Sequence, residues 1–355
     1  MIAFLRKKYF QFLKLIDNIV LRLSYLHSRS EARKYRREFL KRNGEKPVLT
    51  RQIKKDIKAY CKERFGSAAF WSHLAYLTEI NGEFVRGWIP EDYFRYVLEP
   101  KLNPTSYVNL GDMRSIDHRR FGDFAIRPLF LRIMNNFYNA DFEVVEPDQL
   151  RKSLEDYNDT IVVKQEFGWG GKEVRVIHSK KFAPEQLRRG TNYIIQPFIK
   201  QHKVLNELYP HSVNTFRVVT FQKKNGSIKV LFTMLRFGVD GIKVDNLTSG
   251  GQCIYIDPSG KVAKYGYDYY GVSTGEQHKN TGYRFADLEI PHFHKIGDAC
   301  IRAHQKYPYL RFIGWDVCLH ESGEPKLIEW NTDGPSLTWE DALFGPFFPD
   351  DSEFD

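Results

Sequence analysis

Two strand-like runs in the last fifth of this 355-residue chain, IGWDVCLH and PKLIEWN, carry Asp316, Glu329 and Asn331 at a spacing that lets their oxygens act together. The runs are joined around Ser322-Gly323, a turn signal. A hairpin centred there sets Asp316 opposite Glu329. Side chains alternate along a strand, so Asn331 shares that face while Trp330 points the other way. Directly opposed carboxylates destabilise a sheet. A hard dication such as Mg²⁺, which takes oxygen ligands together with phosphate oxygens, relieves that repulsion. Trp315, Val317, Leu327 and Ile328 make the flanks apolar, which argues against a pair of solvent-facing acids.

A second constellation is suited to phosphate. IVVKQEFGWGGKEVRVI puts Lys164 at the end of a strand and follows it with Gly168, Gly170, Gly171 and Lys172. Glycines let backbone N–H groups approach a phosphate, and a lysine neutralises its charge. The segment is not a Walker A loop, because Glu166 stands where the first glycine would fall and Lys172 is followed by Glu. A glycine-rich turn without function is the competing account. YIIQPFI follows, ending in Gln196, Pro197, Phe198 and Ile199, a strand that can offer adenine backbone edges and a flat apolar surface or can serve only as core. Arg217 in NTFRVVTF and Arg236 in FTMLRFG each interrupt an apolar strand, in runs that form a hairpin around Lys224 to Ser227. A charge there needs an anion, a structural ion pair or water. DNLTSGG then supplies Asp245, Asn246, Gly250 and Gly251, either to close over a reacting phosphoryl group or as an exposed turn.

These residues must be positioned by strands. IVVKQEF, VRVIHS, YIIQPFI, FRVVTFQ, KVLFTMLRFG, QCIYID and the two hairpin runs read as strands, and FEVVEPDQLRKSLED as a strand followed by a helix. A further helix is expected over about residues 291–306, and short helices over 50–100. The class is α+β with mainly antiparallel sheets. The expected domains are a basic amphipathic helix and linker (1–46), a helical region (47–105), a nucleotide-binding subdomain (106–195) and a catalytic subdomain (196–355).

The first segment is singular. Phe12, Ile16, Ile19, Val20, Leu23 and Leu26 recur at helical spacing, among Arg6, Lys7, Lys8, Lys14 and Arg22. Such a stripe either packs on the rest of the protein or attaches peripherally to an anionic membrane face. Lys14, Asp17 and Arg22 interrupt any signal-peptide core, so a cytoplasmic location is expected. Residues 29–46 read as a solvated helix or linker. A net charge of +9 favours anionic partners without selecting one. Four well-separated cysteines, without CxxC spacing, indicate neither a zinc site nor a disulfide framework.

Taken in order, VVK…GWGGKEV, IIQPFI, NTFR, MLR, DNLTSGG, GWDV and IEWN resemble the ATP-grasp superfamily over about residues 106–340, nearest to its RimK-like ligases and its sugar-transfer associated members. The resemblance implies two α+β subdomains clasping ATP after a helical N-terminal region. It implies that Lys164 contacts the α- and β-phosphates, Gly168 to Lys172 cover the triphosphate, and Gln196 to Ile199 hold adenine. Asp316, Glu329 and Asn331 would ligate two Mg²⁺, with Mn²⁺ as a substitute. Arg217 and Arg236 would stabilise the transferred phosphoryl group and an acyl phosphate, with Asn246, Gly250 and Gly251 beside it. The implied reaction is ATP-dependent amide formation between an amino acid and a cell-surface polysaccharide or its sugar precursor, with no specific nucleic acid partner. The chain departs from the family in carrying Gln196 at the adenine hinge and Met113-Arg114 where a first lysine is expected, leaving Arg114, Arg119 and Arg120 as candidates for that contact. Two alternatives stay open: a sugar kinase using Asp245 as base, and a non-catalytic basic module.

Overall fold

The computed structural model describes residues 2–168, 174–334, 339–348 and 350–354. The chain divides into two compact units, one of residues 1–104, 270–272 and 336–355 and the other of residues 105–269 and 273–335.

The first unit is helical. Helix α1 (Ile2–Asn43) is followed by α2 (Arg51–Phe65) and α3 (Trp71–Asn81). Thr50 starts α2 by accepting the Ile53 amide on its hydroxyl at 3.2 Å, and Gly66, at φ 74°, ends it in the left-handed region. The stretch read as a solvated helix or linker is helical through Asn43 and packed on one side. Ala32 and Phe39 are buried, Arg29 pairs with the buried Asp92 at 3.0 Å, and Arg36 pairs with Glu79. Earlier in the same helix Ile16, Ile19, Val20, Leu23 and Leu26 are all exposed, so these five members of the stripe do not pack on the described residues. Among the described residues no helix is long and apolar enough to cross a membrane. All four cysteines are buried, and none forms a disulfide among the described residues.

The second unit holds two antiparallel sheets. The six-stranded one contains β1 (Phe130–Ile133), β2 (Asn136–Asn139), β3 (Val144–Val145), β4 (Thr160–Gln165), β5 (Val174–His178) and β6 (Tyr193–Pro197), in the order β3-β2-β1-β6-β4-β5. The expected boundary between residues 195 and 196 falls inside β6. The seven-stranded sheet contains β7 (Thr215–Gln222), β8 (Ile228–Phe237), β9 (Gln252–Ile256), β10 (Val262–Tyr267), β11 (Ser273–Gly275), β12 (Phe312–Leu319) and β13 (Pro325–Asn331), in the order β11-β10-β9-β8-β7-β12-β13. The strands expected from the sequence are all present. The β1–β2 and β10–β11 hairpins carry no clean alternation of apolar and polar residues and were not expected.

One face of the larger sheet packs on the helix His294–His304, whose buried Ile296, Ala299, Cys300 and Ala303 recur at three- and four-residue steps. The core there is aromatic. Trp315 and Trp330 stack with centroids 5.7 Å apart, and Phe121 meets each edge-on. The Trp315 indole N–H donates to Thr220 Oγ1 at 2.8 Å, so its polar atom is satisfied as well. These tryptophans occupy the side of β12 and β13 opposite Asp316 and Glu329, and their packing fixes the strands that present both acids. Trp315→Ala is therefore expected to lower unfolding free energy by about 3–5 kcal/mol, read by urea denaturation. A loss under about 1 kcal/mol, the range of a surface substitution, would show that the stack is not a supporting core.

Candidate active site

The site begins with an irregularity in the β12–β13 hairpin. Near the turn the strands pair Leu319 with Pro325 and Val317 with Leu327, a register in which Asp316 would face Ile328. A bulge at Ile328 moves the pairing by one residue, so that Asp316 faces Glu329, Trp315 faces Trp330 and Gly314 faces Asn331. The bulged residue's carbonyl lies 3.4 Å from Lys164 Nζ, within reach of a long hydrogen bond.

On its other side β12 pairs with β7, bringing Arg217 opposite Asp316, and β7 pairs with β8, bringing Arg236 opposite Thr215. Arg217 donates through Nε to Asp316 Oδ1 at 2.6 Å and through Nη2 to Oδ2 at 3.2 Å. Arg236 Nη2 reaches the same Oδ1 at 3.0 Å. Burial would push the Asp316 pKa up, but Arg217 and Arg236 more than offset it and hold the carboxyl well below the usual carboxylate range. Glu329 goes the other way: burial and the neighbouring Asp316 raise its pKa against the opposing pull of Arg114, Arg217 and Lys164.

The smaller sheet contributes the remaining cations. Lys164, on β4, has its pKa lowered to about 8 by burial and by Arg114, with Glu329 and Asp117 opposing. Arg114 donates to the Gly168 carbonyl at 3.1 Å and pairs with Glu329 Oε2 at 3.3 Å, and its buried Nε has no hydrogen-bond partner among the described residues. The turn bearing Arg114 is tethered, because Ser115 donates through both its amide and its hydroxyl to Glu166, which also accepts from Asn192 at 3.0 Å.

These groups line one end of a cleft of about 810 Å³. Val162, Val174, Val176, Phe198 and Ile199 also line it, with Gln196, and supply its apolar side chains. Of the residues expected at the site, Lys164, Gly168, Gln196, Phe198, Ile199, Arg217, Arg236, Asn246, Asp316 and Glu329 line the cleft. Pro197, Gly250, Gly251 and Asn331 are not among its lining residues, while Gly170, Gly171 and Lys172 lie outside the described residues. Gly251 instead permits a close approach of backbone to backbone, since a Cβ there would come within 2.5 Å of the Asp245 carbonyl oxygen. Gly250 closes the same turn at φ 99°. Both hold the loop that presents Asp245 and Asn246. The Asn246 amide oxygen accepts from the Thr248 amide and hydroxyl at 3.0 and 2.9 Å.

Pattern reading missed three features. Arg114 was one of three arginines without a distinguishing signal, and the structure separates them: Arg119 pairs with Asp141 and Arg120 lies over Trp330, leaving Arg114 in the cleft. Asp245 accepts from the Thr215 amide at 3.1 Å and from its hydroxyl, and Thr215 also accepts from Arg236 at 2.9 Å. Gln201, 7% exposed, donates to the Tyr209 and Ser212 carbonyls and accepts the Asn214 amide, setting the approach to β7. The polar residues in NTFR were the only hint of these networks.

Residues 186–344 match the model of the family described as sugar-transfer associated ATP-grasp. The match covers less than half of the chain. No curated protein matches the chain. Among solved structures, a biotin carboxylase ATP complex from Campylobacter jejuni is similar at 11% identity and a TM-score of 0.41, covering 67% of this chain and 47% of its own. A D-alanine-D-alanine ligase from Coxiella burnetii gives 10% identity, TM-score 0.39, and 68% and 55% coverage. A biotin carboxylase domain of 2-oxoglutarate carboxylase from Hydrogenobacter thermophilus, in complex with MgADP, gives 11%, 0.40, and 81% and 63%. The chain spans less than two thirds of each of these solved chains.

The acids of this cleft fit Mg²⁺ by their donor chemistry. Asp316 and Glu329 oppose one another among apolar neighbours, and burial together with the facing Asp316 raises the Glu329 pKa, a repulsion that a hard dication taking oxygen ligands would relieve. Asn331 follows two positions after Glu329 on the same strand, and its buried Nδ2, an N–H donor rather than a metal ligand, has no hydrogen-bond partner among the described residues. Nucleotide binding should also carry a pH signature through Lys164. An anionic phosphate favours the ammonium form, so ATP affinity should be full below about pH 8 and fall as pH rises through that value, with a proton taken up on binding. Titration calorimetry in two buffers of different ionisation enthalpy at pH 8.5 checks this. Uptake that persists unchanged in Lys164→Ala would assign the proton elsewhere.

Proposed function

We propose that the protein is an ATP-dependent carboxylate–amine ligase that acts through an acyl phosphate in the cytoplasm, joining an amino acid to a cell-surface polysaccharide or its sugar precursor. The single observation that carries this reading is the convergence of Asp316 and Glu329 with Arg114, Lys164, Arg217 and Arg236 in one cleft that also has an apolar region. A substrate carboxylate oxygen attacks the γ-phosphorus of ATP, the bond to the bridging oxygen breaks, and ADP leaves. The amine nitrogen then attacks the acyl carbon, inorganic phosphate leaves, and the amine loses a proton.

In this reading Lys164 and Arg114 hold the phosphate chain, and Arg217 and Arg236 face the oxygens on which charge develops. Val162, Val174, Val176 and Ile199 enclose the adenine ring beside Gln196. Two Mg²⁺ ions, replaceable by Mn²⁺, would be held by Asp316, Glu329 and Asn331 and would neutralise phosphate charge. The domain roles follow: the six-stranded sheet with Lys164 handles the nucleotide, and the seven-stranded sheet with the acids and arginines handles transfer. A sugar kinase would need Asp245 as general base, but its carboxylate is already engaged by Thr215 and lies 3.7 Å from Arg236. ADP release that requires both a carboxylic acid and an amine, screened over amino acids and nucleotide sugars, selects the ligase. ADP release with a sugar alone would select the kinase, and none with any pool would select a binding module.

Two substitutions test the residue roles. Glu329→Gln removes a carboxylate that opposes Asp316, so stability should hold or rise while turnover falls by at least about 10²-fold. A folded variant with full activity would overturn the assignment of Glu329. Arg236→Lys keeps the charge but loses the planar fork, and should lower kcat about 10²-fold with little change in KM for ATP. An unchanged kcat in a folded protein would leave Arg236 a structural ion-pair partner only.

A further inference from the structure

Helix α1 changes face along its length. At about 100° per residue, Tyr25, Ser28, Ala32, Tyr35 and Phe39 fall along one side of the helix. All five make contacts within the helical unit or are buried in it: Tyr25 meets Phe70 and Tyr96, Ser28 bonds His73 at 3.1 Å, Tyr35 meets Tyr76, and Ala32 and Phe39 are 0% and 4% exposed. Ile16, Ile19, Val20, Leu23 and Leu26 fall along the opposite side, about half a turn around. Their exposures are 39%, 49%, 55%, 59% and 60%. Because α1 is one continuous helix, the side that seats residues 25–39 on the unit carries the apolar ridge away from it. The unit that anchors α1 therefore cannot also cover the ridge without breaking the helix.

We propose that residues 16–26 form a ridge that lies in the plane of an anionic lipid surface and holds the protein there reversibly. The ridge is about 15 Å long at 1.5 Å per residue, matching a helix lying in the headgroup region rather than crossing it. Charge selects the occupant. Residues 1–27 contain Arg6, Lys7, Lys8, Lys14 and Arg22 against a single acid, Asp17. A second copy of the same helix would set like charges against like, whereas phosphate headgroups complement them. The inference is independent of the ligase reading, since it needs neither nucleotide nor turnover.

The test is co-sedimentation of the full chain with vesicles of phosphatidylcholine alone and of phosphatidylcholine with 30% phosphatidylglycerol (about one anionic lipid in three, a strongly charged surface), at low and high salt. Full-length protein should pellet with the anionic vesicles at low salt and be largely released at high salt, because screening removes the headgroup attraction. Ile19→Glu with Leu23→Glu, at two exposed positions, should keep the thermal midpoint and lose at least about tenfold in bound fraction. Wild-type protein that ignores anionic vesicles at low salt overturns the proposal, as does a folded double variant that binds as well as wild type. If sedimentation velocity instead finds a dimer that the double variant dissolves, with no vesicle binding by either, the ridge is a contact between copies and the proposal also fails. Should the double variant unfold, the wild-type salt titration decides alone.

Discussion

A carboxylate with 2% of its surface exposed survives as a charge only if its neighbours replace the water it has lost, and at Asp316 two arginines do so. Arg217 comes from the adjacent strand and Arg236 from the one beyond, so the ion pairs depend on the registers of β12 with β7 and of β7 with β8. The arrangement also ranks the acids. Arg217 and Arg236 hold Asp316 well below the usual carboxylate range, whereas burial, with Asp316 beside it, raises Glu329 on the same face.

The cleft draws its charged groups from two sheets with different constraints. β4 delivers Lys164 from a strand whose alternate residues, Ile161 and Val163, are in the core. The backbone of β13 meets it there, because the bulge at Ile328 frees a carbonyl from the ladder and aims it at Lys164 Nζ. Arg114 bridges the same two regions by bonding Gly168 and Glu329. Its placement is set by Ser115 and Glu166, neither of which lines the cleft. Residues outside the cleft lining thus decide where Arg114 stands within it.

The helical unit follows another logic. Its first helix carries two apolar faces in succession, and only the second is used internally, through Ala32, Phe39 and the Arg29–Asp92 and Arg36–Glu79 pairs. Leaving the first face exposed costs solubility unless something else takes it up, which is why its charge pattern carries weight.

Local pattern in the sequence was enough for the strands that carry the site, though not for β1, β2, β10 and β11, and for the turn at Ser322-Gly323 and the facing of Asp316 with Glu329, because period-two alternation and turn residues act over a few positions. It was enough for the last of these partly through compensation: the turn is offset from a simple two-residue hairpin and the bulge restores the offset. The sequence could not choose between an ion pair and an anion site for Arg217 and Arg236, nor pick Arg114 from its neighbours, nor tell whether Gly250 and Gly251 touch a ligand or only shape a loop. Those outcomes rest on contacts between residues far apart in the chain, such as Arg217 with Asp316 and Arg114 with Glu329, whose geometry is set by strand order and bulges rather than by residue type. The same holds for α1. Spacing alone showed that its first half has an apolar stripe, but only the packed second half, by fixing the helix's rotation on its unit, decided that the stripe faces outward.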